Sequence, residues 1–263
     1  MERTHAFDDV PDYVHELIKE LMEVSGKEFV VGIHDDLQYD YKYQWPSRDR
    51  PCHLLTLNAS MKEHLNHVIV LNALKLIRIY EIPPQERVVP KAMLDGRLPP
   101  EYEAELFSNF GSRPYDELVR RSRDLYYAMT SQLTNIPMDL RCEHIVHDRY
   151  PQHRAEQRRF LEREISQLES LVRSDEDEID VPHIQLASTA INTAYIIEAS
   201  DIADLTPPGD TLTGPYHDIA CDLLQPLHTE PVESYRGDCR IVDTWARELG
   251  FEGWYAWRDI PQG

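Results

Sequence analysis

Apolar residues recur at three- and four-residue steps in DDVPDYVHELIKELMEVS, residues 8–25, where Val14, Leu17, Ile18, Leu21 and Met22 share one face. That spacing predicts an amphipathic helix, and Gly26 is its natural stop. KEFVVGIHDDLQYDYKYQW then changes to an extended apolar run followed by polar and aromatic residues, which predicts a strand and a hairpin-like region. PCHLLTLN predicts a second strand. From Ser60 to Tyr80 the period is helical again, with Leu65, Val68 or Ile69, Asn72, Leu76 and Ile79 on one face. Tandem proline at 83 and 84 ends that helix, because neither residue can continue the ladder.

From Pro99 the pattern is helical almost throughout. PPEYEAELFSNFGS predicts a short helix, and RPYDELVRRSRDLYYAMTSQLTN a longer one on Leu118, Leu125, Met129 and Leu133. IPMDLRCEHIVHDRYP predicts a separate helix with Pro137 in its first turn, where a missing N–H does no harm. In PQHRAEQRRFLEREISQLESLVRS, Leu161, Ile165, Leu168 and Val172 step by four, three and four, a stripe that packs on a partner helix. Its arginines, Arg154, Arg158, Arg159 and Arg163, alternate with Glu156, Glu162, Glu164 and Glu169, which favours ion pairs along the helix over phosphate contact. SDEDEIDVP, with five acids in six residues before a proline, reads as a linker. HIQLASTAINTAYIIEASDIADL reads as a buried helix, TPPGDTLTGP as a loop and YHDIACDLLQPL as a short helix. The tail predicts a helix ending at Gly250 and then an aromatic anchor with Trp254, Tyr255 and Trp257.

The fold class is therefore α+β, predominantly α-helical. A small mixed module, residues 1–95, precedes a helical region, residues 96–263, with a sub-boundary at 174–182. Composition narrows the class of partners. Formal net charge is −20 over 263 residues, and the six lysines, none after Lys91, are outnumbered by 21 arginines. An acidic shell repels nucleic-acid phosphates, so a nucleic-acid partner is not expected and a protein partner is. No window approaches the ~18 uncharged apolar residues of a membrane span. The start of the chain lacks the basic-then-apolar order of a secretory signal, so the expected location is cytoplasmic. Cys52, Cys142, Cys221 and Cys239 are scattered without a Cys-x-x-Cys pair, which favours free thiols over a disulfide framework or a four-cysteine zinc site.

The order strand, polar corner, long apolar helix in CHLLTLNASMKEHLNHVIVLNALKLIRIYE, behind an N-terminal helix and a short β region, resembles the ImmA and IrrE class of small zinc metallopeptidases across residues 10–90. The resemblance implies a zincin-like module whose second helix would carry His-Glu-x-x-His. Here Leu71-Asn72-Ala73-Leu74-Lys75 stands where that motif belongs, and the motif occurs nowhere in the chain. A zincin needs two histidines at i and i+4, a glutamate between them as base, and a third ligand. The resemblance thus implies a pseudopeptidase. Asn72 reads as an amide hydrogen-bonded in the core.

Two stretches of the form Glu-His-x-x-His, Glu63-His64 to His67 and Glu143-His144 to His147, place histidine pairs on one helical face. The metal reading takes His64 and His67 as ligands to zinc, with His53 as the third. The preferred function is a non-catalytic interaction or regulatory protein. The alternatives are a metal-dependent hydrolase on the His64/His67 site, with Glu63 or Glu81 as acid/base, and a helical structural adaptor.

Overall fold

The computed structural model describes residues 10–93, 98–109, 113–173, 181–209, 215–232 and 234–260. Its helices are α1 (Asp12–Ser25), α2 (Leu65–Glu81), α3 (Pro100–Asn109), α4 (Tyr115–Arg149), α5 (Arg154–Arg173), α6 (Pro182–Ile202), α7 (Pro215–Thr229) and α8 (Tyr235–Leu249). The strands are β1 (Phe29–His34), β2 (Tyr41–Gln44), β3 (His53–Asn58), β4 (Val88–Ala92) and β5 (Tyr255–Asp259). The chain is α+β and predominantly helical, as its periodicity predicts. The acidic linker between 174 and 180 lies outside the described residues, and so does the sub-boundary placed there.

The chain divides into two compact units. The first is Met1–Val89 with Cys142–Phe160 and Arg258–Gly263; the second is Pro90–Arg141 with Leu161–Trp257. The boundary read from the sequence, at 95, divides the chain into contiguous segments. The assignment of Cys142–Phe160 to the N-terminal unit has no counterpart in that reading.

In the first unit β3 is the centre of a three-stranded sheet ordered β1-β3-β2. β1 runs parallel to β3, with Phe29 opposite His53 and His34 opposite Asn58, while β2 runs antiparallel. Burial along β3 alternates, so His53, Leu55 and Leu57 face the core together. α1 packs on α2 through Val14, Leu17, Ile18 and Leu21. Met22, predicted on the same stripe, is exposed instead, at the edge of the apolar arc. The polar corner Ala59–His64 is a 3-10 turn whose start is capped by Asn58 Oδ1 on the Ser60 N–H at 2.9 Å. α2 follows it and is buried on nearly every side, which explains its weak amphipathic pattern. Asn72 lies within that core, its Nδ2 donating to the Val68 carbonyl at 2.8 Å.

In the second unit α6 is likewise buried around most of its circumference and packs on α7, which packs on α8. Two predictions are corrected in this part of the chain. Residues 113–151 were expected to form two helices parted before Pro137, yet α4 runs unbroken through that proline. An interior proline costs about 3 kcal/mol by losing one hydrogen bond and crowding the carbonyl four residues back. Met129, Leu133 and Leu140 are each no more than 1% exposed, and burying such side chains stabilises by roughly 2 kcal/mol apiece, so continuing the stripe wins. The second correction is that ERVVPKA and the aromatic tail contain strands, β4 and β5, which form a two-stranded sheet. The Met93 N–H bonds the Trp254 carbonyl and the Ile260 N–H bonds the Arg87 carbonyl, so the two run in opposite directions. Trp254 and Tyr255 are buried, as an anchoring segment requires.

Candidate functional site

Among the described residues of the first unit, a cluster of buried polar groups surrounds the start of α2. His67 is the third residue of that helix, so its backbone N–H has no partner within the helix. Glu156, in the first turn of α5, supplies one: Oε1 accepts from the His67 N–H at 3.2 Å and Oε2 from Asn66 Nδ2 at 3.4 Å. The carboxylate thus caps a helix whose own N-cap residue, His64, provides no side-chain bond.

The His67 ring continues the network on both sides. Nε2 lies 2.9 Å from Glu143 Oε1, and Nδ1 lies 3.0 Å from His153 Nε2. His153 ends the 3-10 turn Pro151–His153 that joins α4 to α5, and its Nδ1 is 2.6 Å from the Tyr13 hydroxyl on α1. Gln157 Nε2 donates at 2.8 Å both to Glu143 Oε2 and to the Glu143 carbonyl. His67, Glu143, His153 and Gln157 are each no more than 1% exposed, and Tyr13 is half-buried. Phe160 closes the apolar side, its ring centroid 4.3 Å from that of His67.

Chemistry orders the protons. Burial pushes the Glu143 carboxyl up, but His67, Gln157 and His153 outweigh it, and the group sits below the usual carboxylate range. An ionised carboxylate only accepts, so His67 Nε2 carries hydrogen. Burial first, with neighbouring His67 and Arg159, pushes His153 down to about 4, so this imidazole is neutral at pH 7. Burial, with Glu156 adding, pushes the Tyr13 phenol up to about 12, so it keeps its proton and donates. One consistent chain links the four groups: Tyr13 O–H to His153 Nδ1, one hydrogen shared between His153 Nε2 and His67 Nδ1, and His67 Nε2–H to Glu143. The two imidazoles lie within 5° of parallel, and their facing nitrogens are closer than their centroids, which are 5.2 Å apart. They meet edge to edge, so the shared hydrogen lies along the ring planes. Lys75 on α2 is a further nearby cation; burial pushes it down to about 8, while Cys142 and Glu143 pull it back up.

The residues read from the sequence as zinc ligands are distributed differently. His67 is central but has both ring nitrogens engaged. A metal held at ~2.0–2.1 Å by each of two imidazoles does not fit between nitrogens 3.0 Å apart that point at one another, whereas a proton does. His64 ends the 3-10 turn, half-buried, and meets Phe160 edge-on at 5.7 Å. His53 lies on the core face of β3, its Nδ1 2.5 Å from the Tyr43 hydroxyl, beside Trp45 and Tyr80. Burial, with Lys27 adding, pushes His53 down to about 4, so it is neutral. Among the described residues, His53, His64 and His67 do not place three ligand atoms within 4.8 Å of one another. The two Glu-His-x-x-His stretches do meet, through His67 and Glu143 rather than through paired histidines; His144 and His147 stay half-exposed.

No family model, curated protein or solved structure matches this chain. The site is therefore read from its own geometry. Tyr13, His153 and Gln157 are not singled out by sequence, and Glu156 reads there only as an ion-pair partner along its own helix. Their signal was faint but physical: Gln157 precedes Phe160 and Leu161 at three- and four-residue steps, a polar group on an apolar stripe.

The neutral state of His153 has a consequence for acid stability. Its pKa in the folded chain, about 4, is below the ordinary histidine value of 6.5, so its contribution is complete above pH 6.5 and is lost as pH falls toward 4. Glu143, also lowered, acts in the same direction at the acid end of that window. Unfolding free energies from urea titrations at pH 7 and pH 4.5 are expected to differ by on the order of 2 kcal/mol from this cluster, with a smaller difference in His153→Gln. Identical pH dependence in the two proteins contradicts the assignment.

Proposed function

We propose that this chain is a non-catalytic interaction or regulatory protein of the pseudopeptidase kind, acting through protein partners. One observation carries the reading. The imidazole best placed on α2, His67, has both nitrogens committed to Glu143 and His153, so it has no lone pair for a catalytic metal. Support also comes from the order of elements, in which α1, a small mixed sheet and a buried α2 succeed one another as a zincin-like module requires, with Leu71, Asn72 and Lys75 at the motif position. The acidic surface favours partners that present basic protein surfaces over nucleic acid. Among the described residues no helix is long and apolar enough to cross a membrane.

Metal analysis of the untagged chain decides between this reading and a hydrolase. Protein dialysed against micromolar zinc is expected to retain well under one equivalent and to leave peptide substrates uncut. One tightly held zinc per chain, lost in His67→Ala, would refute the proposal.

A further inference from the structure

In the second unit, Ala220, Leu223, Leu224 and Leu227 bury one side of α7, the helix that packs on α6 and α8. Its outer side carries two donors one turn apart. Cys221 is an exposed free thiol, and 30% of the His217 side chain is accessible. Cys221 Sγ lies 3.7 Å from His217 Nε2 and 3.9 Å from Nδ1, while Asp218 Oδ1 lies 3.6 Å from Nδ1. An imidazole and a thiol four residues apart on a helix have the donor types and the spacing of a chelate. We propose that His217 and Cys221 form a bidentate surface site for a thiophilic divalent ion of the zinc class, which exchanges freely with solvent.

The separation of the donors selects the ion. An ion held at ~2.3 Å from sulfur and ~2.0–2.1 Å from nitrogen sets them about 3.6 Å apart at a tetrahedral angle and about 3.1 Å apart at a right angle. The 3.7 Å between Sγ and Nε2 matches the first, which favours tetrahedral zinc or cadmium over square-planar copper(II) and octahedral manganese. The sulfur donor points the same way, since magnesium and calcium take oxygen ligands. A turn of the accessible ring about its Cβ–Cγ bond aims the Nε2 lone pair at the ion. Asp218 beside Nδ1 favours hydrogen on that nitrogen and leaves Nε2 as the ligand. As the sulfur–metal bond forms the S–H bond breaks, and its proton passes to solvent. Water fills the two remaining positions. Half the protein ligands of a structural site supply roughly half its free energy, which corresponds to a Kd on the order of 10–100 μM. At micromolar zinc only a minority of chains would carry the ion, so the site does not imitate the tight equivalent of a peptidase centre. Both residues belong to the second unit, so this site and the non-catalytic reading stand or fall separately.

Cadmium(II) titration of the reduced, untagged full chain, followed by ultraviolet difference absorption, tests the site. The unmodified chain is expected to develop a thiolate-to-cadmium charge-transfer band that saturates at one equivalent and is reversed by excess zinc. Cys221→Ser is expected to abolish that band, and His217→Ala to weaken binding at least tenfold. Both substitutions lie on the accessible side of α7 and leave the fold intact, which circular dichroism checks. Three results overturn the proposal: no band at ~1 mM cadmium, ten times the weakest expected Kd; a band that survives Cys221→Ser; or equal affinity in His217→Ala, which would mean that a thiol binds by itself.

Discussion

Replacing Glu143 with alanine is expected to lower unfolding free energy by roughly 3–5 kcal/mol, because it removes one partner from a fully desolvated polar set. The loss has two parts. His67 Nε2–H loses its acceptor and Gln157 Nε2 loses one of its two, at 0% and 1% exposure, where water cannot replace them. Glu143→Gln separates charge from shape. The amide can still accept from His67, but its own NH2 then opposes the Gln157 NH2, so donor faces donor. Gln157 cannot simply turn over, since its Nε2 also serves the Glu143 carbonyl. The glutamine variant should therefore recover only part of the loss. Urea unfolding of both variants at pH 7 measures this. A change below about 1 kcal/mol in Glu143→Ala would mean that the cluster is not desolvated as described.

Trp245→Ala is the second large effect, in the other unit. Trp245 is fully buried on α8, and its Nε1–H donates to the Leu223 carbonyl of α7 at 2.6 Å. Truncation leaves a cavity of indole size and removes the partner of a buried carbonyl, together roughly 3–5 kcal/mol. Trp245→Phe keeps most of the apolar volume and isolates the hydrogen bond, for which about 1 kcal/mol is expected. Calorimetric melts of the two variants separate the contributions, and equal destabilisation would show that packing is not the dominant part.

Local periodicity made most helices legible, because α1, α5 and α8 each turn one apolar face inward and repeat it every turn. It failed where the deciding force acted at long range. Pro137 reads as a boundary when only its own turn is considered, and as an interior residue once the buried stripe through Met129, Leu133 and Leu140 is included. β4 and β5 lie more than 160 residues apart, and five residues with a proline at position 90 give no local sign of a strand. The candidate site was half legible for the same reason. His67 and Glu143 stood out as members of the two Glu-His-x-x-His stretches, but their contact joins α2 to α4, and no spacing within either helix records it. Tyr13 and His153 are ordinary residues until α1 and the turn before α5 bring them into line.

The N-terminal unit needs Cys142–Phe160, more than 50 residues downstream of Val89, to supply Glu143, His153, Glu156 and Gln157. During synthesis, therefore, the first 89 residues leave the ribosome with the imidazole of His67 and the start of α2 still lacking their partners. A fragment cut at the apparent boundary would be an incomplete domain, prone to stick to itself.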